Sequence, residues 1–198
     1  LGTPGPAIPA SFYGLMTEQI NNAYDGGLYA ELVQNRTIIA KASSPAHWSV
    51  VAPDGAAAST ALDPAVPLNQ AIPTSLRLDV TRASATAPAG VANEGYWGIP
   101  VRPHTTYRAS FYAKAAPGFT GPITVAIQSA DGRTTYASGQ VAQISSDWKQ
   151  YDLTIATGDT PTTAESRYTL TVDRPGTVWL SLVSLFPPTF NDQANGFR

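Results

Sequence analysis

Asn93-Glu94-Gly95-Tyr96-Trp97 sets two adjacent aromatic rings beside an amide and a carboxylate. Aromatic faces stack on flat patches of C–H groups, and Asn and Glu side chains exchange paired hydrogen bonds with hydroxyls. That combination suits a polyhydroxylated ring, a sugar above all. If the segment is a strand, alternation turns Tyr96 and Trp97 to opposite faces, so at most one lines a given surface. Trp48 sits in a polar, loop-rich stretch and is a further candidate for an exposed ring. Trp148, at a strand start after Asp147, and Trp179, inside a continuous apolar run, read instead as packing residues.

Acid–base chemistry on a glycosidic bond would need two carboxyl groups roughly 5 to 9.5 Å apart. The chain has four glutamates, Glu18, Glu31, Glu94 and Glu165. Glu18 and Glu31 share one predicted strand–helix unit, with Glu18 at the carboxyl end of the strand and Glu31 on the helix surface. No Ser/His/Asp set, phosphate-binding glycine loop or pair of histidines at metal spacing is visible, and His47 and His104 read as surface residues. Calcium would want roughly six to eight oxygen ligands, and no acidic cluster supplies them. Without cysteine there is neither a disulfide nor a thiolate metal site. No cofactor and no catalysis by this chain alone are expected. Arg77, Arg102 and Arg108 could grip a carboxylated sugar bidentately, although on polar strand faces they read as ordinary solvated cations.

These residues must be positioned by many short elements. Only 13% of residues are charged, and 17 prolines and 16 glycines are spread along the chain, which favours short strands joined by tight turns. From residue 75 onward the pattern is period two. Leu76, Leu78 and Val80 alternate with polar neighbours, and strands follow at 95–101, 107–114, 123–128, 134–137, 148–155, 167–172 and 177–185. Asp131-Gly132 marks a hairpin. Residues 40–74 read as loop with short extended pieces. Before them, residues 11–20 predict a buried strand, and Asp25 predicts an N-cap for a helix to Arg36 with Leu28, Leu32 and Val33 on its apolar stripe. Asn35-Arg36-Thr37 matches the glycosylation acceptor pattern on that helix. The fold class is all-β, an antiparallel sandwich (jelly roll) with a short N-terminal strand–helix appendage.

The net charge is −2 with no basic cluster, so a nucleic-acid footprint is missing. The longest apolar runs, such as 178–186, fall far short of the roughly 20 residues that span a bilayer. Neither nucleic acid nor membrane is an expected partner.

Tyr13-Gly14-Leu15-Met16-Thr17-Glu18-Gln19-Ile20-Asn21-Asn22-Ala23-Tyr24-Asp25-Gly26-Gly27-Leu28-Tyr29-Ala30-Glu31-Leu32-Val33-Gln34-Asn35-Arg36 closely resembles the opening segment of the family 51 α-L-arabinofuranosidases that carry an inserted β-sandwich. Thr105 to Lys114, Asp147 to Tyr151 and Gly176 to Leu185, with Asn93 to Val101, resemble the jelly-roll carbohydrate-binding modules of the family 4/9 type. One departure is Leu180-Ser181-Leu182, where many such modules carry paired acidic residues, and this removes support for a calcium site from that strand. The resemblance implies a division into residues 1–40, the first strand–helix unit of a parent barrel; 41–186, the sandwich; and 187–198, a linker back to the missing barrel. It implies a non-catalytic module of a secreted (extracellular or periplasmic) retaining glycosidase acting on arabinoxylan or arabinan. Its partners would be plant cell-wall polysaccharide and the catalytic barrel. Glu18 matches the glutamate that contacts arabinose in the family's substrate pocket, while both catalytic glutamates would lie beyond residue 198. The alternative is a purely structural module that stabilises the parent barrel without binding sugar.

Overall fold

Alternation decides the sheets. The computed structural model describes residues 18–38, 45–194 and 196–198, with Gly5, Ala7, Pro9 and Gly14. Ten strands run in order: β1 (Trp48–Val51), β2 (Ala57–Asp63), β3 (Ser75–Arg82), β4 (Ala89–Asn93), β5 (Thr106–Ala115), β6 (Ile123–Ser129), β7 (Thr135–Val141), β8 (Lys149–Ala156), β9 (Ser166–Val172) and β10 (Gly176–Phe186). One sheet has the order β1-β4-β9-β6-β7 and the other β2-β3-β10-β5-β8, with antiparallel pairing throughout. Tyr107, Ala109, Phe111 and Ala113 of β5 point inward, with Leu76 and Leu78 of β3 and Val178 and Leu180 of β10. They meet Val91, Val125, Ile127 and Leu170 of the facing sheet in one core. Burying these faces is the main favourable contribution to the fold. The fold is the all-β sandwich that the alternation implies.

β10 changes partners along its length. Its first half pairs with both β3 and β5, and its register then shifts between Ser181 and Ser184, where Leu182 adopts φ 47°. Beyond this irregularity β3 is absent, and residues 31–36 take its side. The Leu32 N–H donates to the Leu185 carbonyl at 3.0 Å, and the Val183 N–H to the Arg36 carbonyl at 3.1 Å. The C-terminal stretch joins the same corner. Tyr29 bridges Phe197, and the Ala30 and Arg198 N–H groups donate to the carbonyls of Gly196 and Leu28.

Three expectations change here. Residues 25–36 are turns and extended backbone in place of a capped helix, with the Ala30 and Leu32 N–H groups drawn to Gly196 and to Leu185 of β10. A lone helix of this length is marginal in water, whereas the extended segment seats Leu32, Val33 and Ile38 in the sandwich core. The strand expected at 95–101 lies earlier, as β4, because Gly95 and Gly98 take φ 66° and 82° and turn the chain. Trp179 is not a core residue. With Val178 and Leu180 inward, period two turns it out onto the open face of its sheet, where its indole N–H donates to Asp63 at 2.8 Å. The predicted strand over 11–20 falls largely outside the described residues.

Candidate functional site

β4 ends in Asn93, and the candidate site grows from this residue. Asn93 is 0% exposed and its amide is fully used. Its Oδ1 accepts from the N–H groups of Gln34 (3.2 Å) and Gly95 (2.9 Å), and its Nδ2 donates to the carbonyls of Gln34 (2.9 Å) and His47 (3.0 Å). One side chain thus ties the end of β4 to the segment preceding β1 and to residues 31–36. The loop after it is held against β9. The Ile99 N–H donates to the Ser166 carbonyl and the Ser166 hydroxyl to the Ile99 carbonyl. A Cβ at Gly98 would collide with the Ala164 carbonyl, so this close approach needs glycine.

The turn projects Trp97 into solvent at 60% exposure. Tyr96 is half-buried, leaning on Gly26, with its ring centroid 6.3 Å from that of Trp97. Burial is the largest cause raising the Tyr96 hydroxyl above its ordinary pKa, followed by the charges of Asp25 and Glu31. Together these residues line a cleft of about 550 Å³ that also takes in Gln34, His47, Trp48 and the exposed Glu94.

Trp48, Asn93, Glu94, Tyr96 and Trp97 therefore converge on this one end of the sandwich, in unequal roles. Trp97 and Glu94 face solvent. Asn93 is occupied with the backbone and has no donor or acceptor to spare. Trp48 is a correction: at 8% exposure it forms the floor, and its indole N–H donates to the Asn35 carbonyl at 3.2 Å. The Asn35 amide in turn donates to the Ala46 carbonyl. Glu18 is exposed and lines none of the clefts at this end.

Glu31 was expected on a helix surface and is instead 2% exposed. Its Oε1 accepts from the N–H groups of Val33 (3.0 Å) and Leu185 (2.9 Å), and its Oε2 accepts from the Ser184 hydroxyl and faces Arg36 Nε at 3.6 Å. Burial raises its pKa, outweighing the hydrogen bonds from Leu185, Ser184 and Val33 and the Arg36 charge, which lower it. Tyr168 lies buried nearby, and burial together with the Glu31 charge pushes its hydroxyl up as well. Glu31 lines a neighbouring cleft of about 420 Å³ with Asp25, Tyr29 and Arg36. With both oxygens engaged it acts as a clasp and has no free lone pair aimed at a reacting atom. Sequence reasoning missed it because nothing local distinguishes a buried glutamate from a solvated one.

The open face of the second sheet carries a second polar and aromatic surface. Trp179 stands directly between Arg77 on β3 and Lys114 on β5. Arg77 pairs with Asp79 at 2.9 Å and places its guanidinium carbon 6.0 Å from the Trp179 ring centre. Tyr112 stands opposite Gln150 of β8. Among the described residues, no three His, Cys, Asp or Glu side chains gather as metal ligands would.

Residues 73–174, just over half of the chain, match the family described as "Carbohydrate binding domain". The chain is 35% identical over 192 residues to a probable α-L-arabinofuranosidase A of Aspergillus terreus, covering 94% of this chain and 29% of that protein. It is 32% identical to α-L-arabinofuranosidase 1 of Arabidopsis thaliana, covering 98% of this chain and 29% of that protein. The solved structure of an arabinose-bound MgGH51 α-L-arabinofuranosidase superposes with a TM-score of 0.79 and 34% identity over 94% of this chain and 31% of that one. A solved carbohydrate-binding module of family 4 shares the fold, with a TM-score of 0.54 and 17% identity over 78% of this chain and 99% of that one. The chain spans less than a third of the arabinofuranosidases it matches.

Proposed function

This chain belongs to the carbohydrate binding domain family, and from that premise we propose that it is the sugar-binding module of an α-L-arabinofuranosidase, holding arabinose-containing hemicellulose such as arabinoxylan or arabinan. The observation that carries this reading is the exposed Trp97 ring over the cleft of Glu94, Gln34 and His47. A flat ring offers a stacking platform for sugar C–H groups, and the surrounding carboxylate, amide and imidazole pair with hydroxyls. Asn93 holds that platform without touching the ligand. In a parent enzyme, Glu18 would contact arabinose in the catalytic pocket, supplied from outside the sandwich.

The test is calorimetric titration with arabinoxylan and arabinan oligosaccharides, with aryl α-L-arabinofuranoside hydrolysis followed on the same sample. Saturable heat without turnover, abolished in Trp97→Ala, is the expected result. A specific observation favours a second reading, that the module only shapes its parent. Leu28, Phe190 and Phe197 are exposed where the two ends of the chain pair, an arrangement suited to packing against the rest of a longer enzyme. That reading predicts no heat with any free oligosaccharide.

A further inference from the structure

A second groove lies on the open face of the β5–β8 pair, away from the Trp97 cleft. Its volume is about 620 Å³, and its walls include Arg36, Arg108, Ser110, Asp152 and Thr154, with Ala194 of the C-terminal stretch along one side. Arg108 stands directly opposite Thr154, and Ser110 opposite Asp152. Resting on the sugar-binding reading, we propose that this groove takes a sugar residue bearing a carboxylate, a uronic acid, with Arg108 as the group that reads the charge.

The argument starts from how Arg108 is held. One terminal nitrogen, Nη2, donates to the Thr189 hydroxyl and to the Gln193 carbonyl, both at 3.2 Å. These two bonds hold one corner of the guanidinium, and Arg108 lines the groove. Arg36, Arg77, Arg133 and Arg174 each pair with a carboxylate. Among the described residues, Arg108 has no carboxylate partner, as is also true of Arg82, Arg102, Arg167 and Arg198, but of these five it alone lines this groove. A positioned guanidinium with an open edge matches the two oxygens of a carboxylate, and prior fixation lowers the ordering cost of binding. Asp152, the groove's one acidic wall residue, accepts from the Gln150 amide at 2.9 and 3.2 Å. Arg36 adds a second guanidinium at the inner end, its charge offset from behind by buried Glu31. Ser110 and Thr154 add hydroxyls to the groove wall. A neutral sugar would leave the charge of Arg108 unanswered, so the groove prefers an acidic one.

The test titrates the protein with a xylo-oligosaccharide bearing a glucuronic acid branch and with its unbranched neutral counterpart, in low and high salt. The expected result is binding about tenfold tighter for the acidic ligand, with the difference shrinking in salt. Arg108→Gln should erase the difference while leaving the neutral ligand unchanged, and Arg108→Lys should restore only part of it. Equal affinity for the two ligands, or a preference that survives Arg108→Gln in a folded variant, overturns the proposal. So does acetate binding as tightly as the acidic oligosaccharide, which would mark a general carboxylate site such as a parent enzyme's own side chain could fill. The neutral ligand tests the sugar-binding reading separately, through its loss in Trp97→Ala.

Discussion

The body of the sandwich and the corner built around Ala30, Glu31, Leu32 and Val33 are both buried, yet they are held by different physics. In the body, apolar side chains from two sheets interlock, and any single contact is one of many. At the corner a handful of polar groups carry the structure: the Glu31 carboxylate binds Val33, Ser184, Leu185 and Arg36, and the Asn93 amide binds residues 34, 47 and 95. An apolar core yields gradually when one residue shrinks. A buried polar hub fails more abruptly, since removing it strands every partner at once. The candidate cleft around Trp97 stands on the second kind of foundation.

The widest test of that contrast sets Glu31→Ala against Phe111→Ala. Removing the buried Phe111 ring should cost about 3–5 kcal/mol through lost burial and a cavity. Glu31→Ala should cost a similar 3–5 kcal/mol despite deleting a smaller side chain, because it leaves Arg36 and the Leu185 N–H without their partner. Denaturant unfolding of both variants checks this, and a loss below about 1 kcal/mol for Glu31→Ala would break the comparison. Asn93→Ala comes next, at about 2–4 kcal/mol, with hydrogen exchange at Gly95 accelerating more than at β5.

A finer test uses pH. The folded-state pKa of Glu31 lies above its ordinary 4.5, so over that interval the folded protein keeps a proton that the unfolded chain has released. Stability from this group is therefore greatest below about pH 4.5 and declines as pH rises through the folded value. Glu31→Gln, nearly equal in size, should remove that declining component, so the difference in melting temperature between variant and wild type should change across the interval. The smallest stability effect belongs to Trp97→Ala, within about 0.5 kcal/mol, although oligosaccharide affinity should fall about tenfold or more. A large stability loss there would show that the exposed ring belongs to the foundation after all.

The same contrast explains what could be read from the sequence. β3 and β5 are legible because Leu76-Arg77-Leu78 and Tyr107 to Ala113 alternate between the core and a more open face, whereas β6 and β9 alternate in residue type although β9 is buried at nearly every position. Trp179 obeys the same period, but its neighbours on an almost wholly apolar strand masked it. The corner was not legible. Asp25 to Arg36 carries a helix-like pattern, and only the unpaired side of β10, distant in sequence, recruits it as extended backbone. Tyr96 and Trp97 are candidates by residue type alone, while the loop geometry that separates them depends on Gly95 and Gly98, which the sequence pattern assigns to a strand. Glu31 and Asn93 owe their burial to partners up to 154 positions away, and no local window contains that information.

The irregularity at Leu182 has a practical consequence for anyone who would cut this module out. A version starting at residue 41 would remove the segment that lies beside the far half of β10, baring the Val183 N–H, the Leu185 carbonyl and the Leu185 N–H and emptying the seats of Leu32, Val33 and Ile38. Such a bare edge invites a strand from a neighbouring molecule, so the shortened protein would polymerise or exchange segments between copies. A transplantable version of this sandwich has to begin before residue 28.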